Sequence, residues 1–167
     1  MTVQIEISVE YAGWRELQSP EALVAESLKA ALEESGALLL EGAEVSLLFC
    51  DDTRIRELNR DFRGHDKATN VLSFPTPDPL ETALFIGDIA VAYQTISREA
   101  QEQGRSLDQH SRHMIVHGFL HLLGYDHEDE DEAEAMEALE VRVLSRLGVD
   151  SPYREDAHKD KLGDPRS

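Results

Sequence analysis

The sequence predicts an α+β fold: a small mixed, mostly four-stranded sheet packed with helices. Segments that read as strands alternate irregularly with segments of helical period. Two strand-like segments adjoin across a proline-marked loop at 75–84, so they can pair without a helical crossover. No internal repeat and no dividing linker interrupts the 167 residues. Residues 1–153 are therefore expected to form one domain, followed by a flexible polar tail at 154–167.

Each element has its own signal. Residues 3–9, VQIEISV, alternate Val3, Ile5, Ile7 and Val9 with polar neighbours, the period of a half-buried strand. Ser19-Pro20-Glu21 opens a helix, with serine as cap and proline in the first turn, running to about Ser35-Gly36. Residues 44–50 read as a buried strand. Asp51-Asp52-Thr53 then caps a second helix that ends near Gly64. A strand is expected from Ala68 to Pro75, where prolines stop it, and another from Phe85 to Ala92. A helix starts at Thr95-Ile96-Ser97 and breaks at Gly104, and residues 106–123 form the next. The last helix is rich in acid and ends at Gly148, with Met136, Leu139, Val143, Leu144 and Leu147 as its buried stripe.

Composition excludes several classes. No run approaches the roughly 18 apolar residues of a membrane span, and the N-terminus lacks the basic and apolar regions of a signal peptide. A lone cysteine, Cys50, excludes an internal disulfide and fits a reducing compartment, so a cytoplasmic protein is expected. The net charge of −18 argues against an extended nucleic-acid surface. Base is nevertheless locally dense at Arg54, Arg56, Arg60, Arg63 and Lys67, which leaves room for a basic cleft. The acidic run from Glu128 to Glu140 reads as the solvated face of the last helix.

Residues 117–127, HGFLHLLGYDH, carry the chemistry. From Met114 to Leu123 the only polar side chains are His117 and His121, so this helix is expected to be mostly buried, with a metal site at its end. An unpaired buried polar group costs on the order of 1–3 kcal/mol, so both imidazoles need partners. Gly124 can leave the helix in a left-handed conformation and bring His127 back towards them. Three neutral imidazoles supply three corners of a tetrahedron, the fourth open to water or substrate. One zinc ion per chain is the first choice, although nickel or copper would also bind. His110 and His113 share the helix face, either as supports of the site or as polar caps on an exposed end. The spacing is that of the H-E-x-x-H-x-x-G-x-x-H zinc proteases, with Gly118 in place of the general-base glutamate. Gly118 either packs against the sheet or lets a strand approach the metal closely. Asp126 is a candidate acceptor that fixes a ligand imidazole through its other nitrogen.

HGFLHLLGYDH resembles the signature of the YbeY family of bacterial rRNA maturation factors. Leu58-Asn59, Phe62-Arg63 and the stretch Asp66–Pro75 resemble that family's second signature, with Ala68 where proline is common. Gly87-Asp88-Ile89 and Pro152-Tyr153 also fit. The resemblance implies an α+β fold and a single-strand-specific, metal-dependent endoribonuclease. Its expected roles are 3′-end maturation of small-subunit rRNA and ribosome quality control. It further implies His117, His121 and His127 as metal ligands and Arg63 as the functionally important arginine. Asn70 and Ser73 are candidate substrate-binding residues. The expected partners are single-stranded RNA or rRNA and the ribosomal small subunit or assembly proteins, with no membrane.

The chemistry tolerates the missing glutamate. A three-histidine zinc lowers the pKa of bound water to about 7. A phosphodiester is already anionic, so the strongest need is positive charge, which the metal and Arg63 can share. The RNA's own 2′-hydroxyl is an equally open choice of nucleophile. Two other readings compete: a metalloprotease-like hydrolase, and a non-catalytic ribosome-assembly factor with a structural metal.

Overall fold

The computed structural model describes residues 2–153, and the expected tail at 154–167 lies outside them. Four strands form one sheet: β1 (Val3–Val9), β2 (Ala43–Cys50), β3 (Val71–Pro75) and β4 (Phe85–Ala92), in the order β1-β2-β4-β3. β1 runs parallel to β2 and β2 parallel to β4, while β3 is antiparallel to β4. The sheet is mixed for the reason the sequence suggests. β3 and β4 are joined by a short loop that turns the chain back, whereas β1 reaches β2 through a helical crossover. Five helices pack on it: α1 (Pro20–Ser35), α2 (Asp52–Arg63), α3 (Tyr93–Gln103), α4 (Leu107–Leu122) and α5 (Glu130–Arg146). No helix among the described residues is long and apolar enough to cross a membrane.

The helix ends follow local rules. Ser19 Oγ accepts from the Ala22 N–H at 3.1 Å and Asp51 Oδ1 from the Arg54 N–H at 2.8 Å. Ser106 and Gln109 form a reciprocal capping box at the start of α4. Three boundaries differ from expectation. β3 begins at Val71, not Ala68, because the preceding residues are tied into a turn: the His65 N–H donates to the Asn59 carbonyl, and Asn59 Nδ2 donates to that of Lys67. α3 begins at Tyr93, directly after β4, not at Thr95. Its first turn is capped from outside, the Asp52 carboxylate accepting from the Thr95 N–H and hydroxyl at 3.0 and 2.9 Å. A short 3-10 turn at Ala12–Glu16, not foreseen, buries Trp14 completely. Its indole N–H donates to the Cys50 carbonyl at 2.8 Å.

The sheet faces differ in cover. One face buries Val45, Leu47, Phe49, Ile89 and Val91 against α1, α4 and α5. The other holds a smaller cluster of Cys50, Ile55, Leu72, Ala90 and Ala92 beneath α2. α4 is the central helix, in contact with α1, α3, α5, β3 and β4. Ile115, Phe119 and Leu120 are fully buried along it, each contributing about 1.5–3 kcal/mol. That burial outweighs the roughly 1 kcal/mol that Gly118 costs the helix.

Candidate metal centre

α4 ends in a Schellman motif. The Gly124 N–H donates to the His121 carbonyl and the Tyr125 N–H to the Leu120 carbonyl, both at 3.0 Å. Gly124 has a φ of 102°, a region costly for any residue with a side chain. The turn brings His127 back over the end of the helix. Ring centroids of His127 stand 5.7 Å from His117 and 5.2 Å from His121. One ring nitrogen from each of the three lies within 4.8 Å of the others, and the group could hold a metal ion. Gly124→Ala is expected to cost about 1–2 kcal/mol of stability and to weaken metal binding by displacing His127. Equal metal affinity in a folded variant would show that His127 does not depend on this turn.

The ring nitrogens are oriented by acceptors. His117 Nδ1 donates to Glu140 Oε2 at 2.6 Å, and His121 Nδ1 donates to the Tyr125 carbonyl at 2.9 Å. An ionised carboxylate and a carbonyl can only accept, so both rings carry their proton on Nδ1. With both rings neutral, their Nε2 lone pairs face each other across 3.2 Å. Two lone pairs so placed cannot bond each other, but nitrogens about 2.0–2.1 Å from a tetrahedral ion stand about 3.3–3.4 Å apart. Burial, with His117 and His127 alongside, holds His121 below the usual histidine range, which favours the neutral, ligating form.

The supporting residues are not those expected. Asp126 Oδ1 accepts from the backbone N–H of His127 at 2.7 Å, so it shapes the turn, while Glu140 and the Tyr125 carbonyl orient the imidazoles. Glu140 was expected on a solvated face. It is instead fully buried on α5, where it fills a place in the apolar stripe. Burial alone would push its carboxyl up, but hydrogen bonds from His113 and His117 outweigh that and hold it well below the ordinary carboxylate range. His110 and His113 are 1% and 6% exposed, not caps on an open end. His113 Nε2 lies 3.1 Å from Glu140, and burial holds the ring below the usual histidine range despite that carboxylate. His110 Nε2 meets Glu99 at 2.8 Å.

Arg63 approaches from the other face of the sheet. The Ala92 N–H donates to the Asn70 carbonyl and the Thr76 N–H to that of Ile86. Antiparallel alternation then leaves the Ser73 backbone facing out of the free edge of β3. Arg63 Nη2 donates to that Ser73 carbonyl, with its guanidinium 5.3 Å from the Phe74 ring centroid. Ser73 Oγ in turn donates to the Gly118 carbonyl at 3.0 Å, linking Arg63 to the turn of α4 that carries His117. Asn70 Nδ2 donates to Glu99 at 3.0 Å and its Oδ1 accepts from the Val71 N–H. The polar groups of both Ser73 and Asn70 are thus engaged within the fold.

Gly118 faces the sheet. A Cβ there would stand 3.0 Å from Ile89 Cγ2 and Ser73 Oγ and 3.2 Å from Val71 Cγ2. A side chain there would make these three side chains give way by a few tenths of an ångström, so the glycine suits the close approach of helix to sheet. The basic segment is largely neutralised: Arg54 pairs with Glu10 and Glu57, Arg56 with Asp66 and Arg60 with Asp61. Arg63 has no carboxylate partner among the described residues. Cys50 offers no nucleophile, since burial, with Asp51 and Glu10 adding, pushes its thiol up to about 12.

Fold and donor set define the class: an α+β protein whose central helix ends in a three-histidine site able to hold a metal ion. The family model described as endoribonuclease YbeY matches residues 7–148, and the chain belongs to that family. A relative named endoribonuclease YbeY from Methylocella silvestris is 50% identical, covering 90% of this chain and 86% of its own. Another of the same name from Sinorhizobium medicae is 49% identical, covering 90% of this chain and 95% of its own. A solution structure of a Thermotoga maritima protein is similar over 98% of this chain and 99% of that one, with a TM-score of 0.54 at 26% identity.

Proposed function

We propose that this chain is a zinc-dependent, single-strand-specific endoribonuclease of the cytoplasm that acts in rRNA processing. Its tasks in this reading are 3′-end maturation of small-subunit rRNA and ribosome quality control, with ribosomal or assembly proteins delivering the substrate. The observation that carries the reading is the convergence of His117, His121 and His127, with two Nε2 atoms 3.2 Å apart. The metal would supply Lewis-acid charge at the scissile phosphate and an activated water. Nickel or copper suits the same imidazoles.

The chain's own residues do the rest. His117 and His121 turn their Nε2 atoms to the metal because Glu140 and the Tyr125 carbonyl hold their Nδ1 protons. Arg63, without a carboxylate partner among the described residues, is the guanidinium left to clamp phosphate oxygens. Ser73 and Asn70 act by fixing the β3 edge along which the strand lies. Phe62, 69% exposed and edge-on to Phe74, offers a face on which an unpaired base can stack. Against peptide hydrolysis stands Gly118, which carries no carboxylate where a protease has its glutamate and whose added Cβ would crowd Ile89 and Ser73 at 3.0 Å. Against a purely structural metal stands the donor group itself, three histidines with His127 exposed. Residues 1–153 are read as one catalytic domain.

The test is to purify the chain without added metal, measure metal per chain and assay cleavage of single-stranded RNA. Arg63→Ala is expected to keep its metal and lose roughly 100-fold in kcat/KM, the effect of removing one preorganised charge donor. Cleavage by Arg63→Ala at the wild-type rate would remove Arg63 from the reaction. A metal-loaded wild type without RNase activity would sink the reading.

A further inference from the structure

Three donors, two from α4 and one from the segment after α5, converge on one buried carboxylate. Glu140 Oε2 accepts from His117 Nδ1 at 2.6 Å. Its Oε1 accepts from the Tyr153 hydroxyl at 2.7 Å and from His113 Nε2 at 3.1 Å. The carboxylate is fully buried, so these groups replace its hydration. With both oxygens engaged it cannot rotate without breaking a charge-assisted hydrogen bond. Tyr153 is delivered by a tethered segment. Val149 is 4% exposed and its N–H donates to the Leu144 carbonyl at 2.8 Å, while Arg105 Nη2 donates to the Asp150 carbonyl at 2.8 Å. The Tyr153 ring stands edge-on to His113, centroids 5.9 Å apart.

We propose that Glu140 is a positioning residue that holds His117 with its proton on Nδ1 and its Nε2 aimed at the metal. Tyr153 locks Glu140 in that orientation. Metal retention therefore depends on docking of the segment after α5. A neutral imidazole exchanges its proton between two nitrogens, and only one form ligates through Nε2. An anionic acceptor at Nδ1 selects that form and raises the basicity of the other nitrogen. Tyr153 and His113 leave Oε2 free for His117 by occupying Oε1. The proposal rests on the reading of His117 as a ligand.

The test uses the full chain with Tyr153→Phe, Glu140→Gln and Glu140→Ala. Two readouts are taken: Co2+ affinity by competition with a chromophoric chelator, and the His117 tautomer in metal-free protein by long-range 15N–1H correlation. Melting temperature is followed separately. Removing an outer partner of a metal ligand costs about 10–100-fold in affinity. Tyr153→Phe is expected near the lower figure and Glu140→Gln near the upper, since glutamine keeps an acceptor but loses the charge. Wild-type His117 should be protonated on Nδ1, and Glu140→Ala should show both tautomers. Should Glu140→Ala fail to fold, Tyr153→Phe and Glu140→Gln carry the affinity test. A Glu140 that only stabilises the fold lowers the melting temperature and moves neither readout. Wild-type Co2+ affinity in folded Tyr153→Phe and Glu140→Gln, or an Nε2-protonated wild-type His117, overturns the proposal. A wild-type chain that binds no Co2+ overturns instead the metal reading beneath it.

Discussion

Gly118→Glu will cost the fold about 4 kcal/mol or more and will not create a peptidase. The added Cβ alone meets Ile89, Ser73 and Val71 at 3.0–3.2 Å. Overpacking of this kind costs typically about 1–3 kcal/mol. The carboxylate would then lie between α4 and the sheet without a partner, a burial that costs several kcal/mol more. The helix regains only about 1 kcal/mol by losing its glycine. Set against a total stability of roughly 5–15 kcal/mol, the sum leaves a marginal or unfolded chain. Urea or thermal melts with peptidase and RNase assays on any folded fraction would measure it. Gly118→Ala is the milder companion, and RNA cleavage in it should persist wherever the protein folds. A Gly118→Glu protein that melts like the wild type would fall against the packing account.

His117→Ala is expected to abolish metal retention and RNA cleavage together. Structural zinc sites with four donors bind with roughly 10–16 kcal/mol, so each donor accounts for about 3 kcal/mol, or roughly 100-fold in affinity. The loss should exceed that of His121→Ala in one respect. Removing the His117 ring also takes from buried Glu140 the donor at 2.6 Å, so the fold weakens as well as the site. His121 Nδ1 donates only to the Tyr125 carbonyl, which the Schellman turn already places. Metal content, Co2+ affinity and melting temperature of the two variants separate these effects. Cleavage that survives both substitutions at the wild-type rate would show that the activity lies elsewhere or in a contaminant.

Much of the site was legible because its geometry is local. Histidines at i and i+4 of a buried helix share a face whatever surrounds them, and a glycine after the last turn supplies the φ that returns His127. Glu140 was not legible from the acidic run that contains it. Its signal was present, though: it stands at the spacing of Met136, Leu139, Val143 and Leu144, inside the apolar stripe of α5. A carboxylate on an apolar stripe implies buried donors, which here are His113, His117 and Tyr153. Asp126 is close enough in sequence to serve a ligand imidazole, whereas the turn directs it to the His127 backbone. The basic segment is discharged by contacts as local as its sequence: Arg54, Arg56 and Arg60 pair with carboxylates beside them or across a short loop, and Arg63 has none among the described residues.

Local sequence settles most of the elements and caps, the mixed character of the sheet and the three imidazoles, but not the turn at Ala12–Glu16 or the Asp52 contacts that cap α3. Each rests on side-chain period or on backbone preferences within a few residues. Tertiary structure alone decided which acceptors hold those imidazoles, that Gly118 is a packing contact, and that Arg63 reaches the free edge of β3. These depend on which surfaces of α2, α4, α5 and the sheet come together. A buried polar group takes whatever partner that docking brings within hydrogen-bond reach, and no local pattern encodes a partner 23 residues away.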